Sequence, residues 1–235
     1  MREVVCLSGW GQKFDSLEYI FDHHHFSDFK VSSYNYFLNH CVDDFFCEFS
    51  KTYKNIDCII GWSLGGQLAS RLIAKKIIKP KLLILIAPPF QFVKNSKIKA
   101  AMPKNSYQDF LNNFKAAPNK TIKKFSILTI INDINSKNII QNLALENSNN
   151  KSLIYWLQEL GRFSCFDIDF DNFPSTLYFH GIGDMIVHNS QKDYFKEKIR
   201  DLTDISFEKC GHAPHISKEK EVRNYIYEFF KQKLY

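Results

Sequence analysis

The thirteen residues CIIGWSLGGQLAS, positions 58–70, decide the fold. The run at 56–60 is apolar apart from Asp57 and reads as a buried strand. Leu64, Leu68, Leu72 and Ile73 then recur at helical spacing. Between the two, Gly61, Ser63 and Gly65 spell G-x-S-x-G, and Gly66 adds another residue without a side chain. A lone serine therefore stands where a strand turns into a helix. A sharp turn of this kind exposes the hydroxyl and brings the unpaired N–H groups of the helix start beside it. Flanking glycines permit the turn, because a Cβ would meet neighbouring backbone. A serine hydroxyl is a poor nucleophile unaided; it needs a base within reach and an acid to orient that base.

Working outward, strand-like and helical runs alternate, the pattern of a mostly parallel α/β sheet. Strands are predicted at 4–7, 31–36, 56–60, 81–87, 176–180 and 205–209. Helices are predicted through Val42, Phe45, Phe46 and Phe49, after Ser63, and through Val222, Tyr225, Ile226, Phe229 and Phe230. From Phe90 to about Asp171 no strand is convincing. That stretch reads as helical pieces near 105–115, 120–132, 136–147 and 151–164, separated by Asn, Ser and Pro breaks. The layout is a core from 1–88 and 172–235, interrupted by an inserted helical lid at 89–171. About six strands with helices on both faces are expected.

On such a sheet the order is serine, acid, histidine. Asp184 follows the strand at 176–180 in HGIGDMIVH, and His212 follows the strand at 205–209 in KCGHAPHIS. Both lie past strand ends on the carboxyl edge, where open α/β sheets bind ligands. Asp204 or Asp171 could replace Asp184, and His215 competes with His212; His215 is expected to begin the last helix. An oxyanion needs two N–H donors. Leu64 follows the nucleophile and supplies one. Trp10, in the Gly9-Trp10-Gly11 loop after the first strand, supplies the other.

Net charge is +6, but it is not spread evenly. Residues 89–165 hold eleven Lys or Arg against four Asp or Glu, a segment charge of +7, while the remainder holds 20 against 21. A basic segment alone, without a recognisable reader module, does not make a nucleic-acid binder. No apolar window reaches the roughly 18 residues of a membrane span, and the start MREVVCLSGWG reads as a strand rather than a secretion signal. Six cysteines form no C-x-x-C pair; Cys6, Cys58 and Cys210 fall in predicted strands, as reduced, buried thiols of a cytoplasmic protein do. Adjacent His23, His24 and His25 point different ways and have no ligand partner at tetrahedral spacing. No metal and no organic cofactor is expected.

GWG at 9–11, GWSLGG at 61–66, HGIGDMIV at 180–187 and GHAPHIS at 211–217 resemble the α/β-hydrolases. Within them they are most similar to the pimeloyl-acyl-carrier-protein methyl ester esterases of biotin synthesis. The tryptophan before the nucleophile and the Ala-Pro after the histidine are the more specific marks. In the lid the resemblance is weak, and YQDFLNNF at 107–114 is its best anchor. It implies that Phe110 and Phe114 cover the acyl chain, with Trp10, Ser63, Leu64 and His212 also contacting substrate. It further implies that Lys120, Lys123 and Lys124, at i, i+3 and i+4 on one helix, dock an acidic acyl-carrier protein. Two departures stand out. The usual His-Gly before the tryptophan is Ser8-Gly9, and the chain opens at what would be the family's third strand.

The expected activity is hydrolysis of the methyl ester of a carrier-bound dicarboxylate by a monomeric serine esterase. A general small-ester or acyl-thioester hydrolase would use the same residues without the carrier. A non-catalytic binding protein on this fold would leave Ser63 unreactive. The phenylalanines Phe90, Phe92, Phe110, Phe114 and Phe125 also have a plain role as the lid's own core, and lysines on a helix are commonly a solvated face.

Overall fold

The computed structural model describes residues 1–134, 136, 143 and 150–235. Six strands, β1 (Arg2–Leu7), β2 (Phe29–Ser33), β3 (Cys58–Trp62), β4 (Leu82–Ile86), β5 (Ser175–Gly181) and β6 (Leu202–Phe207), form one sheet. Their order is β2-β1-β3-β4-β5-β6, and every neighbouring pair is parallel. Parallel strands are covered on both faces and so run apolar throughout; β3 and β4 are buried at every residue.

Alternate residues of each strand feed two separate cores. Val5, Leu7, Ile59, Leu83, Leu85 and Tyr178 face one side. There they pack with α1 (Val42–Thr52), α2 (Leu64–Ala74) and α6 (Gln191–Lys198). Val4, Cys6, Ile60, Ile84, Leu177 and Phe179 face the other, against Val222, Ile226, Phe229 and Phe230 of the C-terminal helix Glu219–Leu234. Between β4 and β5 the chain inserts α3 (Lys104–Ala116), α4 (Pro118–Ile130) and α5 (Asn150–Arg162). The helix expected at 136–147 lies outside the described residues apart from residues 136 and 143.

The remaining differences from the expected elements are local. β2 begins and ends earlier than 31–36, because Tyr36 belongs to a single 3-10 turn, Tyr36–Leu38, introduced by the side chain of Asn35. β6 spans Leu202–Phe207 rather than 205–209, so Cys210 lies in the loop beyond it, still fully buried. His215 does not begin the last helix: Pro214 starts a separate helical turn, α7 (Pro214–Ser217), and the last helix, α8 (Glu219–Leu234), follows Lys218. All six cysteines are free thiols.

The sheet order reverses direction between β1 and β3, since the chain leaves β1 toward one edge and β3 toward the other. Such a switch opens a crevice at the carboxyl ends of the strands. The Trp10 loop leaves β1 there and Ser63 leaves β3 there. Paired ends at Leu7 and Gly61, Trp62 and Ile86, and Gly181 and Phe207 bring the loops after β5 and β6 to the same rim.

Candidate active site

Ser63 joins β3 to α2 with φ 54° and ψ −118°, a region that residues with a Cβ adopt only under constraint. The constraint is visible. The Ser63 N–H donates to the carbonyl of Ile86 at 2.8 Å, and the Ser63 carbonyl accepts from Gly66 and Gln67 at 3.0 and 3.2 Å. A Cβ on Gly65 would stand 2.1 Å from the carbonyl oxygen of Leu7, and one on Gly61 would stand 2.5 Å from the backbone of Gly65. The glycines let helix, nucleophile strand and neighbouring strand close to van der Waals contact.

Asp184 and His212 are brought together. Nδ1 of His212 and Oδ2 of Asp184 lie 2.6 Å apart, both side chains being buried. Oδ1 of Asp184 accepts the N–H groups of Ile186 and Val187 at 2.8 and 2.9 Å. Burial opposes the charge of Asp184, but His212, His180 and the bonds they make hold its carboxyl well below the usual carboxylate range. The carboxylate therefore stays ionised. Nε2 of His212 is buried and, among the described residues, has no hydrogen-bond partner. Ser63 is tied to His212 through its neighbour: Nε1 of Trp62 donates to the His212 carbonyl at 2.9 Å. Ser63 Oγ and Nε2 are not hydrogen-bonded, as is common for catalytic pairs without substrate.

The Trp10 loop runs against the nucleophile, since a Cβ on Gly9 would lie 3.5 Å from Ser63 Cβ. Among the described residues, neither the Trp10 nor the Leu64 N–H has a hydrogen-bond acceptor. Where a histidine is usual in related loops, Ser8 offers only a long contact to Gln12. The loop is held instead by the Tyr36 hydroxyl, which donates to the Ser8 carbonyl at 3.1 Å.

Phe110, Phe114 and Phe125 meet the Trp10 indole edge-on at 5.2–5.6 Å, and its N–H donates to the carbonyl of Leu153 in α5 at 2.8 Å. Phe110 is half-buried; Phe114 is wholly buried and packs as core. Ser63 itself is only 4% exposed. Lys120, Lys123 and Lys124 all stand exposed on one face of α4, with exposed Ile127, Leu128 and Ile131 continuing that face.

The competing acids are engaged elsewhere or lie apart: Asp204 pairs with Lys192 and Lys196, at 3.3 and 2.7 Å, and Asp171 sits in the loop before β5. His215 is buried against Trp62, at 4.4 Å between ring centroids, and among the described residues neither ring nitrogen has a partner. His25 pairs with Asp22.

Sequence reasoning missed several supports. His180 bonds Asp184, at 3.0 Å from Nε2 to Oδ2. The end of α4 also holds both loops: the His212 N–H donates to Thr129, the Gly211 N–H to Asp133, and the Asn132 side chain to the Gly183 carbonyl. Trp62 clamps His212. Two of them carried a signal: Trp62 is the tryptophan that marks the resemblance, and His180 shares one face of β5 with Tyr178.

An α/β sheet with a strained serine at its switch point and a carboxylate–imidazole pair on the same rim defines a class, and the family comparison agrees: residues 4–224 match the alpha/beta hydrolase family, to which the chain belongs. Among curated relatives, the biotin biosynthesis bifunctional protein BioHC of Teredinibacter turnerae is 29% identical over 187 residues, covering 74% of this chain and 33% of that protein. A pimeloyl-acyl-carrier-protein methyl ester esterase of Nitrosospira multiformis is 26% identical over 167 residues, covering 68% of this chain. The match spans 64% of the Nitrosospira enzyme and about a third of the bifunctional protein. An esterase from Exiguobacterium antarcticum shares the fold with a TM-score of 0.83 at 16% identity, over 98% of this chain and 92% of that one.

Proposed function

We propose that the protein is a serine carboxylesterase that hydrolyses the methyl ester of a pimeloyl group carried on an acyl-carrier protein. The supporting observation is the 2.6 Å bond from Asp184 to Nδ1 of His212, with Nε2 left unpartnered on the rim where Ser63 makes its strained turn. The Asp184 bond fixes the tautomer in which Nδ1 carries the proton and the Nε2 lone pair is free to accept another.

Ser63 Oγ attacks the ester carbonyl while its proton passes to His212 Nε2. The N–H groups of Leu64 and Trp10 hold the oxyanion. Collapse of the tetrahedral intermediate breaks the bond to the methoxy oxygen, which takes the proton from His212 and leaves as methanol. Water then attacks the acyl-enzyme, giving its proton to His212; collapse breaks the bond to Ser63 Oγ, which takes that proton back as the carboxylic acid product forms. The chemistry uses these side chains and water alone.

The insertion at 89–171 acts as the lid over a core of 1–88 and 172–235. Phe110, with Trp10, lines the acyl path, and Phe114 backs that wall. Lys120, Lys123 and Lys124 are the docking face for the acidic carrier, and the exposed Ile127, Leu128 and Ile131 beside them suit a partner with apolar as well as acidic residues. The names of the curated relatives favour the same substrate. No described helix is long and apolar enough to cross a membrane.

The decisive experiment pairs fluorophosphonate labelling with complementation of a biotin-requiring strain that lacks its own esterase. Wild type is expected to label and to restore growth, and Ser63→Ala to do neither. Labelling without growth leaves a general ester hydrolase; no labelling of wild type removes the enzyme reading.

A further inference from the structure

We propose that His180 and Tyr178 are positioning residues that hold the Asp184 carboxylate toward His212 and moderate how strongly it draws on the imidazolium. This rests on the reading of Ser63, His212 and Asp184 as the reacting machinery. The two side chains lie on one face of β5, directly behind the acid. Nε2 of His180 is 3.0 Å from Asp184 Oδ2 and 2.9 Å from the Val187 carbonyl, and Nδ1 is 2.9 Å from the Tyr178 hydroxyl. Both side chains are completely buried.

These contacts fix the protons. Nε2 faces two acceptors, so it carries a hydrogen and donates. Nδ1 faces a hydroxyl whose sole hydrogen-bond partner among the described residues is that nitrogen. The neutral ring with hydrogen on Nε2 satisfies both, because Tyr178 donates to the Nδ1 lone pair. A doubly protonated ring would leave the buried tyrosine proton without an acceptor, which is unfavourable. The result is a directed chain: Tyr178 O–H to His180, His180 N–H to Asp184, Asp184 to His212.

The chain has a chemical effect distinct from packing. Oδ2 of Asp184 accepts from two imidazoles, so its negative charge is shared between them. Removing the His180 donor concentrates that charge on His212, stabilises the imidazolium and makes the base harder to deprotonate. It also frees the carboxylate to rotate, which weakens alignment of the proton transfer. Groups facing this chain are Asp184 in the loop after β5, His212 in the loop after β6 and His215 beside it. Asp204 of β6, Asp193 of α6 and Cys165 act on Tyr178 from farther off.

The test is the pH profile of kcat/KM for p-nitrophenyl butyrate, measured on wild type, His180→Leu, His180→Gln and Tyr178→Phe. The acid limb reports protonation of the base. In His180→Leu it is expected to move up by about half a pH unit or more, with kcat down about tenfold and KM within twofold. His180→Gln keeps an N–H for Asp184 and an oxygen for Tyr178, and is expected to return the limb to within about 0.2 units of wild type. Tyr178→Phe is expected to shift the limb the same way by a smaller amount, because loss of the polarising hydroxyl weakens the His180 donor. A folded His180→Leu enzyme with the wild-type limb overturns the proposal. If that variant does not fold, Tyr178→Phe decides: an unmoved limb and unchanged kcat overturn it. Failure of the esterase reading would look different, as absence of fluorophosphonate labelling in the wild type.

Discussion

The indole nitrogen of Trp62 donates to the carbonyl of His212, 2.9 Å away, across 150 positions of sequence. Trp62, which precedes Ser63, thus fixes the backbone of His212, and both are almost wholly buried. Trp62→Phe removes the donor and leaves a buried carbonyl unpaired, at about 1–3 kcal/mol. The expected outcome is a lower melting temperature and a fall in kcat of roughly 10–100-fold with little change in KM. Steady-state kinetics beside thermal melts check it; a KM effect alone would contradict the clamp.

Ser63 should show the strain of its turn directly. Ser63→Ala abolishes activity to at least about 10³-fold below wild type, yet keeps a Cβ at φ 54°. Ser63→Gly is equally inactive and relieves that Cβ, so it should be more stable than Ser63→Ala by about 1–2 kcal/mol. Urea denaturation of the two inactive variants is the comparison. Equal midpoints would mean that the turn holds no strain.

Acid stability should depend on His215. Burial and the neighbouring His212 lower its pKa in the folded protein to about 3, against 6.5 for the free group. As pH falls below about 6.5 the unfolded chain takes up a proton that the folded chain refuses. Stability therefore drops on acidification, by up to about 1.4 kcal/mol per pH unit, until the folded form also protonates near 3. Asp184 has the opposite cause but acts lower: its depressed pKa gives stability that is complete above the ordinary carboxylate range and is lost only below it. Between 6.5 and about 4.5 the loss expected from His215 develops, before the Asp184 contribution begins to fall. His215→Phe should flatten the fall in melting temperature there relative to wild type; parallel curves would refute it.

Reversing the charges of Lys120, Lys123 and Lys124 to Glu should separate docking from chemistry. The lysines share one exposed face of α4. Turnover of p-nitrophenyl butyrate should stay within about twofold, while kcat/KM for the carrier-bound ester falls roughly 10–100-fold and loses its salt dependence. Equal loss of both activities would place the lysines in the fold rather than at an interface.

Much of this was legible in the sequence because it is written in local patterns. The strand-turn-helix around Ser63, the apolar runs of β3 and β4, and the strand-then-loop placement of Asp184 and His212 all follow from period and spacing. What was not legible depends on contacts between distant segments. Nothing local marks Tyr36 as the support for Ser8, or α4 as a partner of two loops. The end of β2 shifted because Asn35 caps a turn that pattern alone reads as strand. His215 looked like a helix start because its burial comes from Trp62, more than 150 residues earlier.

The last turn of α4 has a further implication. Thr129 at the end of α4, with Asn132 and Asp133 just beyond it, grips the peptides that lead into His212 and into Asp184. The inserted segment and the loops of His212 and Asp184 are therefore joined into one unit. A swing at this end of α4 would disturb the loops that carry His212 and Asp184. Any recombinant that trades this insertion for a foreign one, in nature or by design, must carry the peptide at 129–133 with it or forfeit turnover along with selectivity.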